Sequence, residues 1–106
     1  MARYLLQASY TTEGIQGILK DGGTARVDAV GKVLAEIGGS LESFYFAFGE
    51  DDAYVIADFP DNVSAAAVAM AVAASGAVKI KTIVLLTPEE IDRAAKTVVH
   101  YRAPGK

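Results

Sequence analysis

The sequence predicts an α+β domain in which strands and helices follow one another as βαββαβ, with a further helix and a tail behind them. Three observations carry this reading. Four segments, 3–10, 41–48, 53–59 and 79–86, are rich in aromatic, aliphatic and β-branched residues and read as strands. Two longer segments carry helix-start signals, one from Thr11 and one from Asp61, and they separate the first strand from the second and the third from the fourth. Only Gly49-Glu50-Asp51-Asp52 lies between the second and third strands, so those two form a hairpin.

The first strand is RYLLQASY, from Arg3 to Tyr10. In TTEG, residues 11–14, Thr11 or Thr12 caps a helix and Glu13 suits the positive end of its dipole. Gly22-Gly23 interrupts that helix, and Thr24 is expected to restart it as a new cap. Val27, Val30, Leu34 and Ile37 then recur at spacings of three and four, one apolar stripe. Gly38-Gly39 stops the helix. LESFYFAF and AYVIADF are the hairpin strands, and Pro60 ends the second because it has no N–H for the ladder. Asp61 or Asn62 caps an alanine-rich helix that runs to Gly76. That helix is apolar nearly all round, which predicts burial on more than one side and a second oligomer contact. KIKTIVLL, from Lys79 to Leu86, is the fourth strand. Thr87-Pro88-Glu89-Glu90 combines a Thr cap, proline at the first helical position and a capping-box glutamate. The helix it opens is expected to turn Ile91, Ala94, Ala95 and Val98 inward.

Two β-α-β units joined by a hairpin make the ferredoxin-like arrangement. Right-handed crossovers then give an antiparallel sheet of order 4-1-3-2 with both helices on one face. A single domain covers 1–106, with its core at 3–86 and the C-terminal helix and tail at 87–106. The opposite sheet face would be polar if it met water, but it is not. Tyr45 and Ala47 oppose Phe44, Phe46 and Phe48. Tyr54 and Ile56 oppose Val55, Ala57 and Phe59, and the fourth strand is apolar from Ile83 to Leu86. Such a face needs cover. The expectation is a homodimer or larger assembly packed sheet to sheet, burying at least roughly 800 Å² per partner. In the competing arrangement, the last helix and tail cover the face within the chain.

Composition removes several function classes. The net charge is −3 and no basic cluster occurs, so a phosphate-backbone footprint is absent and no nucleic-acid partner is expected. There is no cysteine, which excludes disulfides and thiolate chemistry and fits a reducing cytoplasm. The N-terminus runs straight into a strand, with no secretory leader pattern. The most apolar stretch, Val63 to Ala74, is shorter than the ~20 residues a membrane span requires. A soluble, cytoplasmic protein with no membrane partner is therefore expected.

Four groups of residues could carry chemistry. Glu50, Asp51 and Asp52 could share a proton or bind a hard cation. The run is too short for a calcium loop, and Gly and Asp are ordinary turn formers, so the three read as a solvated tip. Asp58 is different, because a carboxylate inside an apolar strand needs a partner if buried. Alternation puts it with Tyr54 and Ile56 on the open face, where it could line a cleft with Gln7, Ser9, Tyr45 or the tail. The plainer expectation is that it reaches solvent or pairs with a lysine or arginine. His100 is the only histidine and a natural general base. A single histidine without cysteine makes a metal site improbable, and neither metal nor cofactor is expected. Val98, Val99 and Tyr101 are too apolar for a free tail, so His100, Tyr101 and Arg102 are expected to dock on the body or on a partner. A site of the docked tail with Asp58 and Tyr54 is the sharpest catalytic candidate. Lys20-Asp21-Gly22-Gly23-Thr24 precedes a helix but lacks phosphate-loop spacing, and a helix kink is the preferred reading.

The succession of TTEG, Gly38-Gly39, the FYFAFGEDD hairpin, Phe59-Pro60-Asp61, and Gly76 before KIKTIVLLT resembles the GYD family. Its members are small, mostly bacterial, generally uncharacterised proteins with a fold akin to the dimeric α+β barrels. The resemblance covers the chain to about Leu86, and the last helix and YRAPG look like a subfamily extension. Where the family hairpin usually reads glycine, any residue, tyrosine, aspartate, Gly49 and Asp52 match and Asp51 replaces the tyrosine. With the apolar sheet face, the expectation is a homo-oligomer that binds a small molecule or regulates, and the resemblance adds no established catalysis. The alternatives are a small cofactor-independent isomerase or oxygenase of the dimeric-barrel type, and a purely structural assembly protein.

Overall fold

Strand β1, Ala2–Tyr10, is the first element in the computed structural model, which describes residues 2–106. Helix α1, Thr12–Glu36, follows. Thr11 caps it by accepting the Gly14 N–H, and Glu13 sits in its first turn. Strands β2, Ser40–Phe46, and β3, Ala53–Phe59, form the hairpin. Helix α2, Asn62–Ala74, is capped by Asp61, which accepts the Ser64 N–H at 2.8 Å. Strand β4, Val78–Leu85, completes the sheet, and helix α3, Pro88–Lys96, carries the expected capping box between Thr87 and Glu90.

The sheet is antiparallel with order β2-β3-β1-β4, which is the expected 4-1-3-2 read from the other edge. The alternation fixes two faces. Tyr4, Leu6 and Ala8 of β1 and Ala53, Val55, Ala57 and Phe59 of β3 are buried beneath the helices. Leu34 from α1 and Ala65 and Val68 from α2 close the core from above. The Tyr4 and Phe59 rings meet edge to face with centroids 5.2 Å apart, and the Tyr4 hydroxyl donates to Asn62 Oδ1. One end of the core is therefore filled by two large aromatic side chains. Burying each contributes roughly 1.5–3 kcal/mol.

Four local expectations need correction. The break in α1 is one residue, Gly22, at φ +85° and ψ 169°. This conformation excludes side-chain-bearing residues. Thr24 keeps helical geometry, so it is an interior residue and not a new cap. The second strand stops at Phe46 rather than Phe48, and a β-bulge lies between Leu41 and Ser43. The third correction concerns α3. None of its residues is buried, and Ile91 is exposed rather than turned inward; Val98 lies beyond the helix end and is exposed too. The helix and tail do not cover the open sheet face within the chain. They project from it, which accounts for a longest dimension of 57 Å and a radius of gyration of 16.9 Å. A compact chain of this length would give about 13 Å. The alanine-rich α2 is likewise buried on one side only, through Ala65 and Val68, with Val63 and Met70 exposed.

Candidate functional site

The open face of the sheet is built in rows fixed by strand register. Leu5 pairs with Ile56 on one side and Ile83 on the other, a central apolar row. Gln7 pairs with Tyr54 and Lys81, and Tyr54 pairs with Tyr45, so three candidate residues do share one row. Arg3 pairs with Asp58 and Leu85 at one end. There the Arg3 Nε lies 2.8 Å from Glu42 Oε2 and 3.3 Å from Asp58 Oδ1. Asp58 is thus an ion-paired carboxylate, as its plainer reading expected. It sits four residues from Tyr54 on the same strand, about 13 Å away at strand rise.

At the opposite end the structure overturns the solvated-tip expectation. Asp51 is buried, at 5% exposure. Its Oδ1 accepts the Ser9 hydroxyl at 3.1 Å and lies 3.7 Å from Lys81 Nζ. Asp52 is half-buried; its Oδ2 accepts the Tyr10 N–H at 2.8 Å, and its own N–H donates to the Ala8 carbonyl. Only Glu50 behaves as a free tip acid. The cause is register. β1 runs on past its last β3 pair, Ala8 with Ala53, so the acids of the turn land on Ser9 and Tyr10 instead of in water.

His100, Tyr101 and Arg102 lie in the exposed tail beyond α3. Within one chain the tail brings none of them to Asp58 or Tyr54, and the Arg102 Nε donates to the Lys106 carbonyl. No group of acids or histidines with metal-holding geometry occurs among the described residues.

A different site lies on the helix-bearing face, and the expected residues do not include it. α1 packs over β2 while α2 packs over β4. A wedge between the helices is left open above the middle of the sheet. It forms a cavity of about 110 Å³ lined by Leu6, Ala8, Val30, Val55, Val68 and Val72 among others. Small side chains on both sides, Ala8 below and Ala29 above, leave the space. The only polar side chains in the lining are Tyr10 and Arg26. Both also line an open groove of about 300 Å³ that continues along α1 to its kink at Gly22, between Glu13 and Asp21. The Arg26 guanidinium stands 5.8 Å from the centroid of the Tyr10 ring. Its Nε is buried and has no hydrogen-bond partner among the described residues. The sequence signal existed. Arg26, Val30, Leu34 and Ile37 follow helical spacing, which puts an arginine on the core-facing stripe.

No helix among the described residues is long and apolar enough to cross a membrane. No curated protein and no solved structure matches the chain. The family model of the GYD domain matches residues 4–95, which takes in every element except the first residues of β1 and the last of α3. With the strand order and hairpin register also in place, the chain belongs to the GYD domain family.

Proposed function

We propose that the protein is a homodimer that binds a small, largely apolar molecule between the helices and the sheet of each protomer. The observation that carries the binding reading is the cavity itself. It is apolar, set over the sheet, and open to solvent past one unpartnered arginine. Binding pockets of this kind combine apolar walls with a few placed polar groups. A cofactor-independent isomerase or oxygenase needs an acid or base facing its substrate. The cavity lining offers no carboxylate and no histidine, only the Tyr10 hydroxyl, so binding is the better supported role.

The dimer reading is supported by the open face and the arm. Leu5, Ile56 and Ile83 run across the sheet between two charged ends, and Ile83 is 41% exposed. The arm offers Ile91, Val98, Val99 and Tyr101 without covering anything in its own chain. Two copies stacked open face to open face, about 10 Å apart as packed sheets are, bury both apolar rows and give each arm a surface to lie on. Sedimentation of the intact chain and of Ile83→Lys tests this. The intact chain should sediment as a dimer at micromolar concentration and the variant as a monomer. A monomeric intact chain refutes the dimer. For the binding role, titration with phenylacetamide should saturate with the intact chain. Ala29→Leu, which fills the mouth shared by cavity and groove, should abolish the signal. Equal binding by both would move the ligand elsewhere.

A further inference from the structure

We infer that the ligand is a monocarboxylic acid whose apolar body fills the cavity and whose carboxylate sits on Arg26, an inference that rests on the cavity being a binding site. The Arg26 Nε is buried and unpartnered. A buried guanidinium donor without an acceptor is costly. The ion pairs of the described residues involve Arg3 and Lys81 but not Arg26. The Tyr10 ring lies 5.8 Å from the guanidinium and offers its face without neutralising the charge. What remains unmet is an anionic acceptor at the place where cavity and groove join.

The shape of the site narrows the anion. The planar guanidinium fork matches a carboxylate, with two parallel N–H···O bonds. Glu13 and Asp21 line the groove beyond Arg26, so a dianion would meet two like charges where a monoanion meets the arginine first. At about 110 Å³ the inner cavity is smaller than the roughly 150 Å³ apolar cavity that holds benzene, so it takes a short aliphatic chain whole and a ring only with part of it in the open mouth. Phenylacetate is a fitting probe, with phenylacetamide as its neutral counterpart of the same shape.

Calorimetric titration of the intact protein at neutral pH compares the two. Phenylacetate should bind at least tenfold more tightly than phenylacetamide, a difference of about 1.4 kcal/mol. Arg26→Gln should remove that preference, leaving the acid and amide affinities within about twofold of each other. Arg26→Lys, which keeps the charge but loses the fork, should keep part of it. If Arg26→Gln does not fold, the Nε–H resonance of Arg26 in the intact protein decides. It should shift on titration with the acid and stay in place with the amide. Equal binding of acid and amide, or an unmoved Nε–H resonance with bound acid, overturns the carboxylate assignment and leaves the cavity as a site for neutral ligands. Binding of neither probe overturns the cavity reading, and this inference with it.

Discussion

Two glycines three residues apart on α1 should respond to the same substitution with opposite signs. A glycine in a helix interior costs roughly 0.5–1 kcal/mol relative to alanine, because the unfolded chain has more freedom to lose. At Gly17 a Cβ would meet nothing within 4 Å, so Gly17→Ala should stabilise by about that amount. At Gly14 the added Cβ would stand 2.2 Å from the carbonyl oxygen of Ala77 and 3.2 Å from the Tyr10 Cβ. That carbonyl is not free to yield. It accepts the Thr11 N–H at 3.0 Å and the Thr11 hydroxyl at 3.2 Å, which pins the start of α1 to the turn before β4. Relief to an ordinary contact requires a shift of more than 1 Å, and both bonds are lost or stretched. At roughly 0.5–1.5 kcal/mol per bond, less the helix-propensity gain, Gly14→Ala should destabilise by about 1–2 kcal/mol. Urea denaturation followed by far-UV circular dichroism measures both variants against the parent. The reasoning fails if Gly14→Ala is as stable as the parent or more so. It also fails if Gly17→Ala is destabilised, since nothing near that position can account for a loss.

Two further outcomes follow from the charged groups. The Ser64 N–H holds the Asp61 carboxyl below its ordinary value of 3.8, and the Thr87 N–H does the same for Glu90 against 4.5. A lowered folded-state pKa gives stability that is complete above the ordinary values and is lost as pH falls through the folded ones. Urea midpoints should therefore drop between pH 5 and pH 3, and Asp61→Asn, a cap without a charge, should flatten part of that drop. Identical pH profiles for parent and variant would refute the cap assignment. Asp51→Ala should cost about 1–2 kcal/mol, because it strands the Ser9 hydroxyl and removes the partner of Lys81. Asp51→Asn, which keeps an acceptor for Ser9, should cost less. Equal losses would mean that the charge on Lys81 dominates, and no loss in either would mean that the buried contact has no energetic weight.

What was legible in the sequence was what is decided locally. The Thr87 capping box, the Pro60 stop, the Asp61 cap and the two-residue alternation of AYVIADF each depend on residues within a few positions, and each stands as read. Strand order followed because short connections and crossover handedness leave few arrangements. The failures come from contacts distant in sequence. Asp51 was read as turn chemistry because its neighbours are turn formers, but its burial is set by Ser9 and Lys81, 42 and 30 positions away. The apolar face of α3 was visible as a pattern. The pattern says that the face wants cover, not which surface gives it, and its own chain does not. Arg26 was legible and overlooked, since one arginine among valines at helical spacing reads as a solvated exception until the wedge between the helices is seen.

The size gradient along the core argues that the wedge is a feature and not a packing fault. At one end Tyr4 and Phe59 fill the space between sheet and helices; at the other, Ala8 faces it from the sheet and Ala29 from above. An apolar recess of about 110 Å³ open to solvent forgoes the dispersion contacts that a filled core would make. Exchanging Ala8 or Ala29 for valine would recover part of them. A recess that is cheap to fill, bordered by Ala8 below and Ala29 above and by a buried guanidinium donor without an acceptor, is what a site looks like before its ligand arrives. A fault would have no reason to hold a charge at its rim.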